Sequence, residues 1–571
     1  MQSLRQAVRF AGLIVFLIAL ACSSDDSDSG GSTAGDRPED GSSAAADWTM
    51  LGWDLGNTRA AVAETAVGVD NVATLQPVWN LDVPDGVTAT PVVADGVVYV
   101  GDWTGHVHAL DAVTGESVWE ADVTDSNIYG AVALDDSRVF VGTADKRVVA
   151  LDRSTGDQAW EAEVEEHPAG TIFGSPVVAD GTVLVGLASF EEMVTPSADQ
   201  PTFKGSVMAL DAETGDERWH HFLTKGDETE GPGVPVWSSP TVDTDRREVY
   251  IGTGNTYAPP SSSRGDGIVT LDLDTGDEKW AYQFTIGETW RLNDPVGTDS
   301  DVGAPPNLFD AGGTPAVGAG DKGGSYQALD RATGELLWSA KLTEGSVLGA
   351  VMAGAAVAQD TVFVASNRGA AKADLIALGT TDGAEKWRTD VEGRVTGPVS
   401  WANGVVYVAD DDSHISGFDA STGERLWRYD TAEAAAGGIA IVDGTVYAAW
   451  GWALPPVSPP WKGSPQGGII AFRAGGEPAP PSSDDESADN GDAAPDGAEI
   501  YRQSCAACHG PEGQGGRGPS LEGIDQRMSL DEHLAVVQKG RGNMPAWEDS
   551  LTPEEIDAVV EYERTVLANS G

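Results

Sequence analysis

An eleven-residue pattern, A-x-D-x-x-T-G-x-x-x-W, recurs along this chain and limits its fold more than any other feature. It runs from Ala109 to Trp119, Ala150 to Trp160, Ala209 to Trp219 and Ala328 to Trp338. Looser copies run from Thr270 to Trp280, Ala377 to Trp387 and Gly417 to Trp427. Most copies follow an alternating strand bounded by a turn, such as Ala94-Asp95-Gly96-Val97-Val98-Tyr99-Val100. Asp-Gly between apolar runs is a strong hairpin signal. Each repeat therefore predicts a small antiparallel sheet, with Thr-Gly at its last turn and the Trp packed on a neighbour.

Two orphans flank these copies. Trp79, in Leu75-Gln76-Pro77-Val78-Trp79, has no motif before it. Gly468-Ile469-Ile470-Ala471-Phe472-Arg473 has the strand but no Trp after it. Joined, they make an eighth unit in which the N-terminal strand completes the final sheet and ties a ring shut. The expectation is an all-β eight-bladed propeller over residues 48–476. Its repeat tryptophans are structural props with no catalytic part.

Cys505-Ala506-Ala507-Cys508-His509 dictates chemistry rather than fold. Two thiols spaced C-x-x-C and followed at once by histidine form the attachment site of a c-type haem. Cys505 and Cys508 would each bond one vinyl group, and His509 would ligate the iron. Met544, in Gly542-Asn543-Met544-Pro545, is the candidate second axial ligand, a pairing that raises the reduction potential. A zinc knuckle would want two further Cys or His ligands nearby, and only His533 is at hand. Residues 495–571 read as a small all-α cytochrome c domain. Leu530–Lys539 and Pro553–Leu567 show helical spacing, the latter opened by Thr552-Pro553-Glu554-Glu555.

Acidic residues number 90 against 34 basic, a formal charge of −56. Such a surface repels nucleic acid and anionic lipid, and it suits a salt-rich habitat where its self-repulsion is screened. The third cysteine, Cys22, follows Arg5, Arg9 and the apolar run Phe10 to Ala21, which is too short to span a bilayer comfortably. Ala19-Leu20-Ala21-Cys22 is similar to a bacterial lipoprotein cleavage box. Residues 1–21 then form a signal peptide, and Cys22 becomes a lipidated N-terminus that holds an exported protein at a membrane. Residues 22–47 read as an acidic tether and 477–494 as a Pro/Ser/Asp-rich linker, each too poor in large apolar residues to bury a core.

The repeat joined to a cytochrome c resembles the quinoprotein alcohol dehydrogenases, and polyvinyl alcohol dehydrogenase and its relatives in particular. Trp53-Asp54-Leu55-Gly56-Asn57-Thr58-Arg59 with Asn71-Val72-Ala73-Thr74-Leu75 looks like that family's opening. The resemblance implies pyrroloquinoline quinone (PQQ) and a metal ion, calcium or a similarly hard one, at the propeller centre. It implies metal ligands at Glu191, Asn255 and Asp301, and a catalytic base at Asp299. It also implies a tryptophan under the quinone at Trp237 and a basic partner for the quinone oxygens at Lys322. Alcohol would be the substrate, and an external cytochrome or copper protein would take the electrons.

The residue types suit that chemistry. Hard oxygens hold a calcium-like ion, which polarises a carbonyl, while a carboxylate removes the hydroxyl proton. The chain departs from the family twice. Asp199 to Gly205 lacks the adjacent cysteines that cover the quinone in many relatives, leaving Pro201 as a substitute contact. Arg291 stands after Trp290, where some relatives carry the base, so the role moves to Asp299. A lipoprotein scaffold, like the outer-membrane assembly factor built from this repeat, and a quinone-free electron-transfer protein are the competing readings.

Overall fold

The computed structural model describes residues 47–194, 200–291, 299–345, 349–369, 372–451, 464–475, 497–501, 505, 509, 513–514, 519–541, 544 and 553–569. Cys22, the tether up to Ala46, the linker 477–494 and Cys508 lie outside these residues. The chain divides into two compact units, 1–479 and 480–571.

The first unit is an eight-bladed β-propeller. Seven sheets follow in chain order at 92–122, 133–163, 177–222, 241–283, 307–341, 356–391 and 400–430, here blades 1 to 7. Blade 8 combines 439–474 with the N-terminal strand Leu75–Asp85. The hairpin signal acts as expected. Asp95 and Gly96 take φ of 53° and 75°, and Asp443 and Gly444 take 49° and 73°, the signs of a type I′ turn.

The repeat is explained by short-range geometry. Its first and last residues are cross-strand partners: Ala109 lies opposite Trp119, Ala150 opposite Trp160 and Ala209 opposite Trp219. The small side chain leaves room for the indole. The motif aspartate closes the turn, with Asp111 Oδ1 accepting from the amides of Val113 and Thr114, both at 2.9 Å. The indole then reaches the next blade. Trp119 Nε1 donates to the Arg153 carbonyl at 3.0 Å. Its ring covers Gly156, where a Cβ would fall 2.7 Å from it. Gly156 also has φ of 77°, so glycine is required there both by backbone and by space.

The same pair is rebuilt where the ring closes. Leu75–Asp85 runs antiparallel to Ser464–Ala474, with Trp79 opposite Ala471. Trp79 Nε1 donates to the Ala112 carbonyl of blade 1 at 3.2 Å. Blade 8 lacks the Thr-Gly turn, and there Trp427 meets Phe472 edge-on instead, with centroids 5.0 Å apart.

The segment 48–59 serves as an axial strap. Trp48 pairs with Val93, and the carbonyls of Thr49, Leu55, Gly56, Thr58 and Arg59 accept from Leu134, Val242, Leu308, Val357 and Trp401, all between 2.8 and 3.0 Å. It thereby covers inner strand edges of six blades that would otherwise lie unpaired. Arg59 is buried, donating to the Val399 carbonyl at 2.7 Å and to Ser400 Oγ at 2.9 Å, and burial pulls its guanidinium down to about 9.

Because successive strands run up and down, the loops between the second and third strands share one face with the loops between blades. All the quinone-site candidates sit in those loops. The second unit is helical in its described elements: Gly497–Ile500, Ile524–Arg527, Leu530–Lys539, Pro553–Thr565 and the 3-10 turn Leu567–Asn569. Ser529 and Glu532 form a capping box at the start of Leu530–Lys539. Tyr501, Cys505, Leu521, Val537, Val559, Val560 and Leu567 make the core of this unit.

Candidate functional site

Five of the six quinone-site candidates converge. Lys322 opens the hairpin turn before Ser325–Asp330 in blade 5, and its Nζ donates to both oxygens of Asp299 at 3.2 and 3.1 Å. The same Nζ donates to Asp301 Oδ2 at 2.7 Å. That oxygen also accepts from Trp237 Nε1 at 3.2 Å, and Asp301 Oδ1 accepts from the Asn255 amide at 2.7 Å. Lys322 Nζ stands 5.1 Å from the centroid of Trp237. The benzo end of that indole lies against Gly303, where a Cβ would overlap it at 1.7 Å. Glycine is the residue that admits the ring there.

Asp299, Asp301, Asn255 and Lys322 are all buried. Burial raises the Asp299 carboxyl to about 7, against the pull of the Lys322 ammonium and with the push of Asp301. Lys322 is shifted up, since the attraction of Asp299 and Asp301 outweighs its own desolvation. Two further carboxyls join the group. Glu192 is held well above the usual range by burial and by the charges of Asp301 and Asp299. Asp266 is raised likewise by burial, then by Asp301 and Glu288.

A hard cation fits this donor set. Asn255 Nδ2 donates to the carbonyls of Thr256 and Trp290 at 3.0 and 2.7 Å, which leaves Oδ1 buried without a partner. Glu192 Oε2 and Asp266 Oδ1 are also buried and unpartnered. Such oxygens are costly without a donor or an ion. Oxygen donors in an acidic surround suit calcium and ions like it.

Glu191 behaves differently from its neighbour. Its buried carboxylate accepts from Thr202 N at 2.8 and 2.9 Å and from Phe203 N at 2.7 Å, turned toward the 202–203 segment. The carboxylate facing Asp301 and Lys322 belongs to Glu192. Both lie on the short helix Glu191–Val194, where successive side chains point about 100° apart. Nothing in the spacing distinguishes the two. Asp266 escaped notice because Asp266-Gly267 before an apolar strand reads as an ordinary turn, and its φ of 55° is consistent with one. Pro201 and Arg291 are buried.

Elsewhere, Glu392, Asp410 and His414 converge within 4.8 Å. Arg425 meets Glu392 at 2.6 Å, and Asp410 caps its hairpin while pairing with His414 at 3.1 Å. Those contacts engage all three residues, while Glu392 Oε2 stays buried without a partner.

In the second unit, Cys505 is buried in the core, and Met544 packs partly buried against the same core. His509 Nδ1 lies 2.8 Å from the Pro519 carbonyl. A hydrogen bond there fixes the tautomer and leaves Nε2 free for a metal. Met544 sits on a tight bridge, its amide and carbonyl exchanging 3.2 Å bonds with Arg541. His533 is engaged elsewhere, its Nε2 lying 3.0 Å from buried Glu563.

Known proteins match both parts of the chain. Residues 48–358 match the model of the glucose/ethanol/alcohol dehydrogenase β-propeller domain that carries the name PQQ. Residues 322–453 match that of outer membrane protein assembly factor BamB, and 492–562 that of cbb3-type cytochrome c oxidase subunit III. A polyvinylalcohol dehydrogenase of Pseudomonas sp. is 28% identical over 67% of this chain and 67% of its own length. Quinohemoprotein alcohol dehydrogenase ADH-IIG of Pseudomonas putida is 27% identical over 86% of this chain and 87% of its own. The solved structure of the Pseudomonas putida ADHIIG protein shares the fold at a TM-score of 0.66, with 22% identity, covering 92% of this chain and 96% of that one. The propeller match alone spans more than half the sequence, and this chain belongs to the PQQ glucose/ethanol/alcohol dehydrogenase family, as an enzyme with a cytochrome c domain joined behind its propeller.

Proposed function

We propose that the chain is an exported, Cys22-anchored quinohaemoprotein that oxidises an alcohol in the propeller and passes the electrons singly to its own haem. The observation that carries the reading is the buried Asp299 carboxyl, raised to about 7 and gripped by Lys322 beside Trp237. A carboxylate of that kind is poised to accept a hydroxyl proton near neutrality.

Asn255, Glu192 and Asp301 would hold a calcium-like ion, with Asp266 adding negative charge to the group. Trp237 offers its flat face to the planar cofactor, and Lys322 keeps Asp299 aimed while offering positive charge to the cofactor's oxygens. When bound, PQQ and its cation supply a two-electron acceptor at a polarised carbonyl, and the haem supplies a one-electron acceptor. Asp299 takes the substrate proton at a carboxylate oxygen, and burial keeps water from competing for that site. His509 and Met544 would ligate the iron of a haem held by Cys505 and Cys508. Covalent joining of the two units keeps haem at high effective concentration near the propeller. The names of the relatives support an alcohol, polymeric or small, as substrate, and an external cytochrome or copper protein would collect the electrons.

The test is anaerobic. Haem-loaded protein is given calcium and PQQ, then a panel of alcohols, while the haem spectrum is followed. Haem reduction that requires both quinone and alcohol is the expected result. No reduction together with no PQQ binding would leave the electron-transfer or scaffold readings.

A further inference from the structure

Glu191 accepts from a third donor, Thr202 Oγ1, at 3.2 Å, and His167 Nε2 lies 3.4 Å away. A buried carboxylate with that many donors is a brace, and the brace leads to the cation site. The Phe203 carbonyl accepts from Gly233 N at 2.8 Å, and the next residue, Val234, donates its amide to the Asn255 carbonyl at 2.8 Å. Gly233 and Val234 both have positive φ, 113° and 56°. A β-branched residue in the left-handed region persists only where its surroundings impose it. A Cβ on Gly233 would sit 2.5 Å from Tyr257 N, so this pair has no slack.

A second arm closes the circuit. The Phe203 ring stacks on Tyr257 with centroids 6.4 Å apart, and the Tyr257 hydroxyl lies 3.2 Å from Ser189 Oγ. That oxygen accepts from Glu191 N at 3.3 Å. On its far side, Asn255 is fixed by Asp301 and by the Trp290 carbonyl.

We propose that Glu191 is a positioning residue for the cation site, acting through Phe203 and the strained Gly233–Val234 pair to hold Asn255 with Oδ1 presented to the ion. The proposal rests on the reading of the site given above. It makes Glu192 the direct ligand and Glu191 the residue that keeps a more distant ligand in place. Partners of this indirect kind change metal affinity by about 10- to 100-fold when removed.

The experiment uses the full haem-loaded chain. Calcium binding is measured by calorimetry and terbium binding by luminescence, in wild type, Glu191→Gln, Glu192→Gln and Thr202→Val, with thermal unfolding in chelator followed in parallel. The expected result is about a tenfold weaker ion affinity in Glu191→Gln, on the scale of a lost indirect partner. Glu192→Gln should lose at least ten times more. Thr202→Val removes one donor to Glu191, should weaken binding by about threefold, and decides the matter if Glu191→Gln does not fold. Unchanged affinity in Glu191→Gln, or in Thr202→Val if it must decide, overturns the proposal while loss in Glu192→Gln leaves the site reading intact. A loss in Glu191→Gln as complete as in Glu192→Gln would make Glu191 a direct ligand, which also overturns it. No ion binding by wild type would remove the site reading itself.

Discussion

Lys322 Nζ holds both oxygens of Asp299, at 3.2 and 3.1 Å, inside a wall of buried groups. The pairing opposes desolvation without cancelling it, so Asp299 stays near 7 rather than in the usual carboxylate range. A base must be ionised to act. kcat/KM should therefore rise from acid toward neutral pH with an apparent pKa no higher than about 7, because a bound cation adds further downward pull. Asp299→Asn should lower kcat by about 10²- to 10⁴-fold and remove that limb. A pH–rate profile of the two proteins checks this.

Lys322→Met should cost stability rather than rate alone. It leaves Asp299 and Asp301 buried with their cation gone, a change worth about 3–5 kcal/mol. Asp299, with its raised folded value, ionises at a cost to the fold as pH rises from about 4 through about 7. Loss of the Lys322 ammonium raises Asp299 further, so the variant's deficit should grow as pH rises past about 7, as read by thermal unfolding.

Gly303→Ala places a methyl inside the Trp237 ring position and should displace the indole. PQQ affinity should fall by tenfold or more, with overpacking costing about 1–3 kcal/mol. Quenching of tryptophan fluorescence on adding PQQ provides the readout.

Gly276→Ala tests the repeat itself. A Cβ there would meet Trp219 at 2.6 Å on a residue with φ of 73°. The expected loss is about 1–3 kcal/mol of propeller stability, with cation affinity unchanged.

Met544→Ala should leave haem covalently attached but lower its potential by about 0.1 V, a fraction of the ~0.8 V that axial ligands span. His509→Ala should disrupt iron ligation outright. Spectroelectrochemistry separates the two outcomes.

The propeller was legible because its rules act over a few residues. Ala109 faces Trp119 across one hairpin, Asp95-Gly96 makes its own turn, and Trp79 finds Ala471 because each carries half of one pair. The C-x-x-C-H motif of the cytochrome c domain was legible for the same reason, being one contiguous string.

The strap was only partly legible. Trp53 to Arg59 stood out as a resemblance, yet its role in bonding the inner strands of separate blades depends on their arrangement around an axis.

The sequence by itself determined the repeat, the closure and the haem motif, and through resemblance it assembled Asn255, Asp299, Asp301, Lys322 and Trp237. Tertiary structure alone turned the Glu191 carboxylate to the amides of Thr202 and Phe203, set Glu192 among the charges of Asp301 and Asp299, and brought in Asp266. The site is built from loops of blades 3, 4 and 5 meeting on one face, and one residue along a helical turn rotates a carboxylate by about 100°. Which of two adjacent acids faces Asp301 depends on that rotation, and no local pattern records it.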